Sequence, residues 1–191
     1  LNVVYSMVYY KLAANKGDSE SMFMFASLID EGEGIISKND EVSFKYYKMA
    51  SDKGHIESMF KLSTILSNHK EDSLKIAESI KYLKMAADKG HIESMFKLAL
   101  MLSNHKEDTL KVEESIKYLK MAADKGHIES MSKYASLLEE GINVSANKME
   151  AAKYYRMAAD NGDRVSLKKY AHIIKNNEEG IDDEQINKEN F

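Results

Sequence analysis

Any chemistry in this chain must come from histidine, serine and the acidic residues, because none of its 191 residues is cysteine. Without a thiol, neither a disulfide nor a thiolate metal site can form. Six histidines invite a metal reading. His55, His91 and His127 lie 36 residues apart, as do His69 and His105, and no His-Glu-x-x-His pair is present. Side chains that are images of one position do not converge on one ion, which needs a full ligand set in fixed geometry. The expectation is therefore no metal and no cofactor. Serine recurs in the same way, at Ser21, Ser58, Ser94, Ser130 and Ser166. These read as a small packing position near a helix start, and no nucleophile elbow or phosphate loop accompanies them. The paired acids Glu139-Glu140 and Glu178-Glu179 read as solvated surface, since nothing around them would drive two pKa values apart. The chain is expected not to be an enzyme.

The recurrence is itself the main signal. Gly17, Gly54, Gly90, Gly126 and Gly162 open successive copies of one text, in steps of 37, 36, 36 and 36 residues. The copies from Gly54 and Gly90 differ at six positions: 63/99, 64/100, 65/101, 73/109, 76/112 and 77/113. A fixed period in this range marks a stacked repeat protein. Counting from the glycine, position +5 is Met22, Met59, Met95, Met131 and Leu167. Position +8 is Phe25, Leu62, Leu98, Tyr134 and Tyr170, and +12 is Ile29, Leu66, Leu102, Leu138 and Ile174. Position +9 stays small (Ala26, Ser63, Ala99, Ala135, Ala171), so another backbone can come close. The spacing 5, 8, 9, 12 is one face of an α-helix. It predicts a helix A over 18–30, 55–67, 91–103, 127–139 and 163–175. A helix B closes each unit, at 7–16, 43–53, 78–89, 114–125 and 151–161. The glycine after it supplies the positive φ of a helix end. Asn39 and Asn147 are expected to cap helix B in the outer copies, and Ser73 and Thr109 in the middle ones.

The predicted architecture is all-α: a right-handed solenoid of antiparallel helix pairs, about ten helices, held by contacts between neighbouring units. The array runs over 1–177, with a partial repeat at 1–16, repeats at 17–53, 54–89, 90–125 and 126–161, and a half repeat at 162–177. A polar acidic tail, 178–191, reads as the start of a truncated repeat and is expected to fray. The first residue is not Met and lies inside a repeat, so the text reads as a piece of a longer protein.

Charge narrows the partners. The net charge is −4, and Arg156 and Arg164 are the only arginines, which argues against nucleic acid. No apolar run is long enough to cross a membrane, and the opening LNVVYSMVYY makes a poor signal peptide. The sequon at Asn143 reads as chance. The absence of cysteine suits a reducing compartment, and the cytoplasm is the expected location.

The columns resemble the Sel1-like repeat, a relative of the tetratricopeptide repeat, from about Val3 to about Ile181. Tyr155-Arg156-Met157-Ala158-Ala159-Asp160-Asn161-Gly162 is similar to that family's helix-B ending, as is Leu83 to Gly90 with leucine for the aromatic. Gly32-Glu33-Gly34-Ile35 looks like its loop, and the copies at 54 and 90 lack both loop glycines. The resemblance implies a scaffold or adaptor for protein partners, with no small-molecule substrate. It also implies two alternatives: a regulatory or localising arm of a longer signalling protein such as a kinase, and a component of an endoplasmic-reticulum degradation complex.

One pattern points to where a partner would sit. Positions +3, +6 and +10 of helix A share a second face, expected to line a concave surface. It holds Glu20 and Phe23, then Glu57, Phe60 and Thr64, then Glu93, Phe96 and Leu100, then Glu129, and His172 in the last copy. Phenylalanines flanked by glutamates suit a protein segment with apolar anchors and basic flanks. The same phenylalanines would equally serve to fill the gap to the neighbouring helix A. Copy four has Ser132 where the others have phenylalanine.

Overall fold

The computed structural model describes residues 3–32, 36–105 and 107–189, with side chains as far as 176. Among these residues there are ten α-helices and no strand. Helix B recurs as α1 (Val3–Asn15), α3 (Asp40–Asp52), α5 (Ser73–Asp88), α7 (Thr109–Asp124) and α9 (Lys148–Asp160). Helix A recurs as α2 (Ser19–Glu31), α4 (Ile56–Ser67), α6 (Ile92–Ser103), α8 (Ile128–Glu140) and α10 (Arg164–Glu189). The chain divides into two compact units, Leu1–Ser94 and Met95–Phe191.

Within the first unit α2 packs on α1 and α3, and α4 on α3 and α5. Met22, Phe25, Ala26 and Ile29 of α2 are buried, and so are Met59, Leu62, Ser63 and Leu66 of α4. Those are the +5, +8, +9 and +12 columns. The small +9 residue is used as a contact point: Ser79 of α5 donates its hydroxyl to the carbonyl of Ser63, 2.8 Å away and buried. In the second unit Ser115 of α7 makes the same bond to Ala99, at 2.7 Å. There Met131, Tyr134, Ala135 and Leu138 of α8 are buried between α7 and α9. On α1 the face bearing Tyr5, Val8, Tyr9 and Leu12 is exposed.

Every helix B starts three to five residues earlier than expected, because its first turn lacks the repeated apolar columns that mark the rest, and three elements differ further. The caps of α5 and α7 are Asp72 and Asp108, whose carboxylates accept from Lys75 N and Lys111 N. Ser73 and Thr109 are instead the first helical residues. A carboxylate reaches the free N–H groups of the first turn and also favours the positive end of the helix dipole, so the aspartate one step earlier wins. Asn39 and Asn147 do cap α3 and α9, accepting from Val42 N and Glu150 N. Next, α10 does not end near 175 but continues to Glu189. No proline interrupts the segment beyond 175, and its four glutamates suit a helix, although Gly180 and its asparagines do not. Finally, the core face of α10 is shifted. Leu167 at +5 is 54% exposed, whereas Ile173 at +11 is buried. Among the described residues no helix B follows α10, so its burial is set by α9. Glu33 to Ile35, part of the loop noted above, and the side chains of Glu178 and Glu179 lie outside the described residues.

Candidate functional site

The junction between copies is built from a three-residue turn. In Lys53-Gly54-His55, Gly54 N donates to Ser51 O and His55 N to Ala50 O, which closes α3 in a Schellman arrangement. The next residue already belongs to α4. At Gly90 and Gly126, φ is 96° and a Cβ would meet nothing within 4 Å. It is therefore the backbone angle, not lack of space, that calls for glycine there.

His55 then does several things at once. Its backbone N–H closes the helix before it. Its Nδ1 accepts from the backbone N–H of Ser58 at 3.2 Å and so caps the helix after it. An Nδ1 that accepts is unprotonated, which places the ring proton on Nε2. That nitrogen donates to Glu20 of the preceding copy at 3.0 Å. The ring face lies on Phe23, centroids 4.8 Å apart. His91 repeats the set with Ser94 N, Glu57 at 3.4 Å and Phe60 at 4.9 Å. His127 caps α8 through Ser130 N and stacks on Phe96 at 4.4 Å. In the outer copies Asp18 and Asp163 take the capping place. Asp18 accepts from Ser21 N at 2.8 Å. Asp163 accepts from the Ser166 hydroxyl at 2.7 Å and from Val165 N at 3.0 Å. The hydroxyl of Ser166 holds the Asp163 carboxyl below its ordinary pKa against the opposing effect of burial, and Ser21 does the same for Asp18.

Sequence reasoning missed this capping role. The signal was present: His-x-x-Ser at 55, 91 and 127 sits in the same columns as Asp-x-x-Ser at 18 and 163. Two residue types that share only a capping acceptor alternate at one position.

The proposed partner-facing residues are placed as follows. Glu20 and Glu57 are exposed and paired with the imidazoles of the next copy. Phe23 and Phe60 are half-buried and Phe96 is 6% exposed, each ring lying on a histidine of its own junction. Thr64 is half-buried, its hydroxyl donating to Phe60 O at 3.1 Å, and Glu93 is half-buried. Leu100 is 37% exposed. Glu129 is exposed and pairs with Lys133 at 3.6 Å. His172 is exposed and bonds Asn176.

Two clefts open between successive A helices at matching repeat positions. One lies in the first unit, about 380 Å³, where Asp30, Lys38, Asp40 and Lys61 surround Thr64 and Ile65. The other lies in the second unit, about 320 Å³, with Leu100, Leu119 and Leu137 as its apolar lining and Lys133 and Ser136 beside them. The difference traces to the charged residues Asp30, Lys38 and Asp40 of the first cleft, to the +10 column, Ser27 against Leu100, and to one column of helix B. Tyr47 fills its place in the first unit and bonds Ser27 at 3.1 Å. Leu119 occupies the same column in the second. Deeper in the second unit, Tyr155 donates to Glu139 at 2.8 Å while Lys169 donates to the Tyr155 hydroxyl at 2.9 Å. The Tyr155 bond is the main reason the Lys169 ammonium holds its proton more tightly than usual.

Among the described residues no group of three histidine or acidic side chains is placed to hold a metal ion, and no helix is long and apolar enough to cross a membrane. Paired helices, glycine turns and repeat-to-repeat contacts define a helical repeat protein. The Sel1 repeat model matches residues 2–18, 19–55, 56–91, 92–127 and 128–163, and the chain belongs to that family. Sel1 repeat proteins are typically non-enzymatic scaffolds that mediate contacts between proteins. No curated protein matches the chain. Among solved structures, a Sel1 repeat protein from Oxalobacter formigenes superposes with a TM-score of 0.72 at 20% identity, over 85% of this chain and 66% of that one. A protective antigen of uropathogenic Escherichia coli with an SLR fold gives 0.71 at 19% identity, over 89% of this chain and 36% of its own. An immunity protein from Pseudomonas aeruginosa gives 0.50 at 19%, over 84% and 58%. The chain thus spans less than two thirds of each of these proteins, and the likeness concerns the fold.

Proposed function

We propose that this chain is a non-enzymatic scaffold that binds a segment of another protein in the clefts between its A helices. The observation that carries this reading is the recurrence of a cleft at matching repeat positions in each unit, with different chemistry in each. The first-unit cleft suits a charged or polar side chain. The second-unit cleft suits an aliphatic one, with Leu100 and Leu137 as its walls and Lys133, paired with Glu129, at its rim. The phenylalanines support this face from within the junctions, while Thr64, Leu100, Glu129 and His172 stand at its surface.

The test is selection of peptides from a random display library on the intact chain, followed by Leu100→Glu and Thr64→Arg. Leu100 is exposed, so its change should leave helix content and melting temperature within the ordinary range for surface substitutions. A selected peptide should bind Leu100→Glu or Thr64→Arg at least about tenfold more weakly, equivalent to burying one small apolar group or losing one charged contact. If no peptide is selected, or if both variants bind every selected peptide as before, the cleft reading fails.

A further inference from the structure

One junction lacks the ring that the others contain. In copies one to three the residue at +6 is phenylalanine, and it lies on the +1 histidine of the next copy. In copy four +6 is Ser132 and the next +1 residue is Asp163, so both halves of the stacked pair have changed. Ser132 reaches the Asp163 carboxylate with its hydroxyl, and beside this pair the junction holds an open groove of about 790 Å³, wholly within the second unit. That exceeds the volume of one aromatic side chain and leaves room for the backbone that would carry it.

Its lining is uneven in a useful way. Ile128 and Val165 both border it and are 39% and 62% exposed. Val165 stands at +3, where the other four copies have glutamate, so an apolar wall has replaced a charged one. The charged residues of the lining are Glu129 and Asp163, both acids. Glu20 and Glu57 are spanned to an imidazole across their junctions. Across the junction from Glu129 stands Asp163 instead, and Glu129 pairs with Lys133 of its own helix. His127 borders the cavity with its Nδ1 committed to capping α8.

We propose that this slot docks an aromatic side chain of a partner protein that carries a lysine or arginine beside it. The ring takes the place that Phe23, Phe60 and Phe96 occupy in their own junctions, against Ile128 and Val165, and the basic group meets Glu129. The inference rests on the scaffold reading and adds to it a second, chemically distinct contact point.

The probe is the capped peptide Ac-Gly-Lys-Phe-Lys-Gly-NH2, titrated into the isotope-labelled chain and followed by NMR. One buried ring and one exposed ion pair support a dissociation constant on the order of 1 mM. Shifts should centre on Ile128, Ser132 and Val165. Replacing Phe by Ala, or both lysines by Glu, should weaken binding more than about fivefold. Ser132→Phe supplies the ring from within and should abolish the titration while holding or raising the melting temperature. Val165→Glu restores the residue of the other copies on an exposed site, and should weaken binding even if Ser132→Phe does not fold. Absence of binding, equal binding of the Ala peptide, or binding that survives Val165→Glu overturns the slot. Concentration-dependent dimerisation lost in Val165→Glu would overturn it in favour of a second copy of this chain. Leu100→Glu separates the two proposals: it should leave this titration unchanged, and a failed slot leaves the clefts still to be judged by their own peptides.

Discussion

The histidine that opens each interior copy, at 55, 91 and 127, is a joint more than a surface group. A capping acceptor, a ring contact and a bond to the previous copy meet in His91. His91→Ala removes all three, and the capping loss alone is about 1 kcal/mol. His91→Asp should recover the cap, since Asp18 and Asp163 already serve in that place, but not the contact with Phe60. Urea denaturation should therefore rank wild type above His91→Asp, and His91→Asp above His91→Ala. The aspartate caps carry a pH dependence of their own. The folded-state pKa of Asp163 lies below its ordinary 3.8. Its contribution is thus complete above that pH and is lost as pH falls through the lowered value. Asp163→Asn keeps a capping side chain and removes the titration. The melting temperature of wild type should fall more steeply than that of Asp163→Asn on acidification below pH 3.8; equal slopes would show that the ionised form is not favoured by the fold.

At the scale of the helix, small residues decide how closely neighbours sit. Ser63 and Ser79 are both buried where α4 and α5 meet, tied by a hydroxyl-to-carbonyl bond. Ser79→Ala should cost about 1 kcal/mol, the net value of that bond. Ser79→Leu, although leucine is the better helix former, should cost about 1–3 kcal/mol through overpacking. A thermal melt by circular dichroism that placed the leucine variant above wild type would show that helix propensity, not approach distance, controls this contact. The same balance explains how much could be read in advance. The first four A helices were legible to within about a residue, because four core columns repeat and any error of register would expose Met, Leu and Ile together. The starts of α5 and α7 were less so: Asp72 and Ser73 are both good caps on paper, and only the backbone shows which carboxylate or hydroxyl faces the free N–H groups. The end of α10 was hidden for a different reason. Its last residues are polar, without a periodic apolar face to mark them as helix or tail. The vacant ring position was visible as Ser132 in a column of phenylalanine, but a missing side chain becomes a cavity only once the turn that frames it is known.

For the molecule as a whole, the consequence of the shared junction is that its length is editable. Phe23 and Glu20 present to His55 the surface that Phe60 and Glu57 present to His91. Copies two and three differ at only six positions, none of them in the turn. Excising 54–89 joins Lys53 to Gly90 in frame and sets His91 against Phe23 and Glu20. The 155-residue product, 191 less 36, should fold with a helical spectrum scaled to eight helices instead of ten. A tract in which two neighbouring stretches are interchangeable at their seams is also one that recombination can shorten or extend without leaving a scar in the protein, so members of one population could carry this array at different lengths and all of them intact.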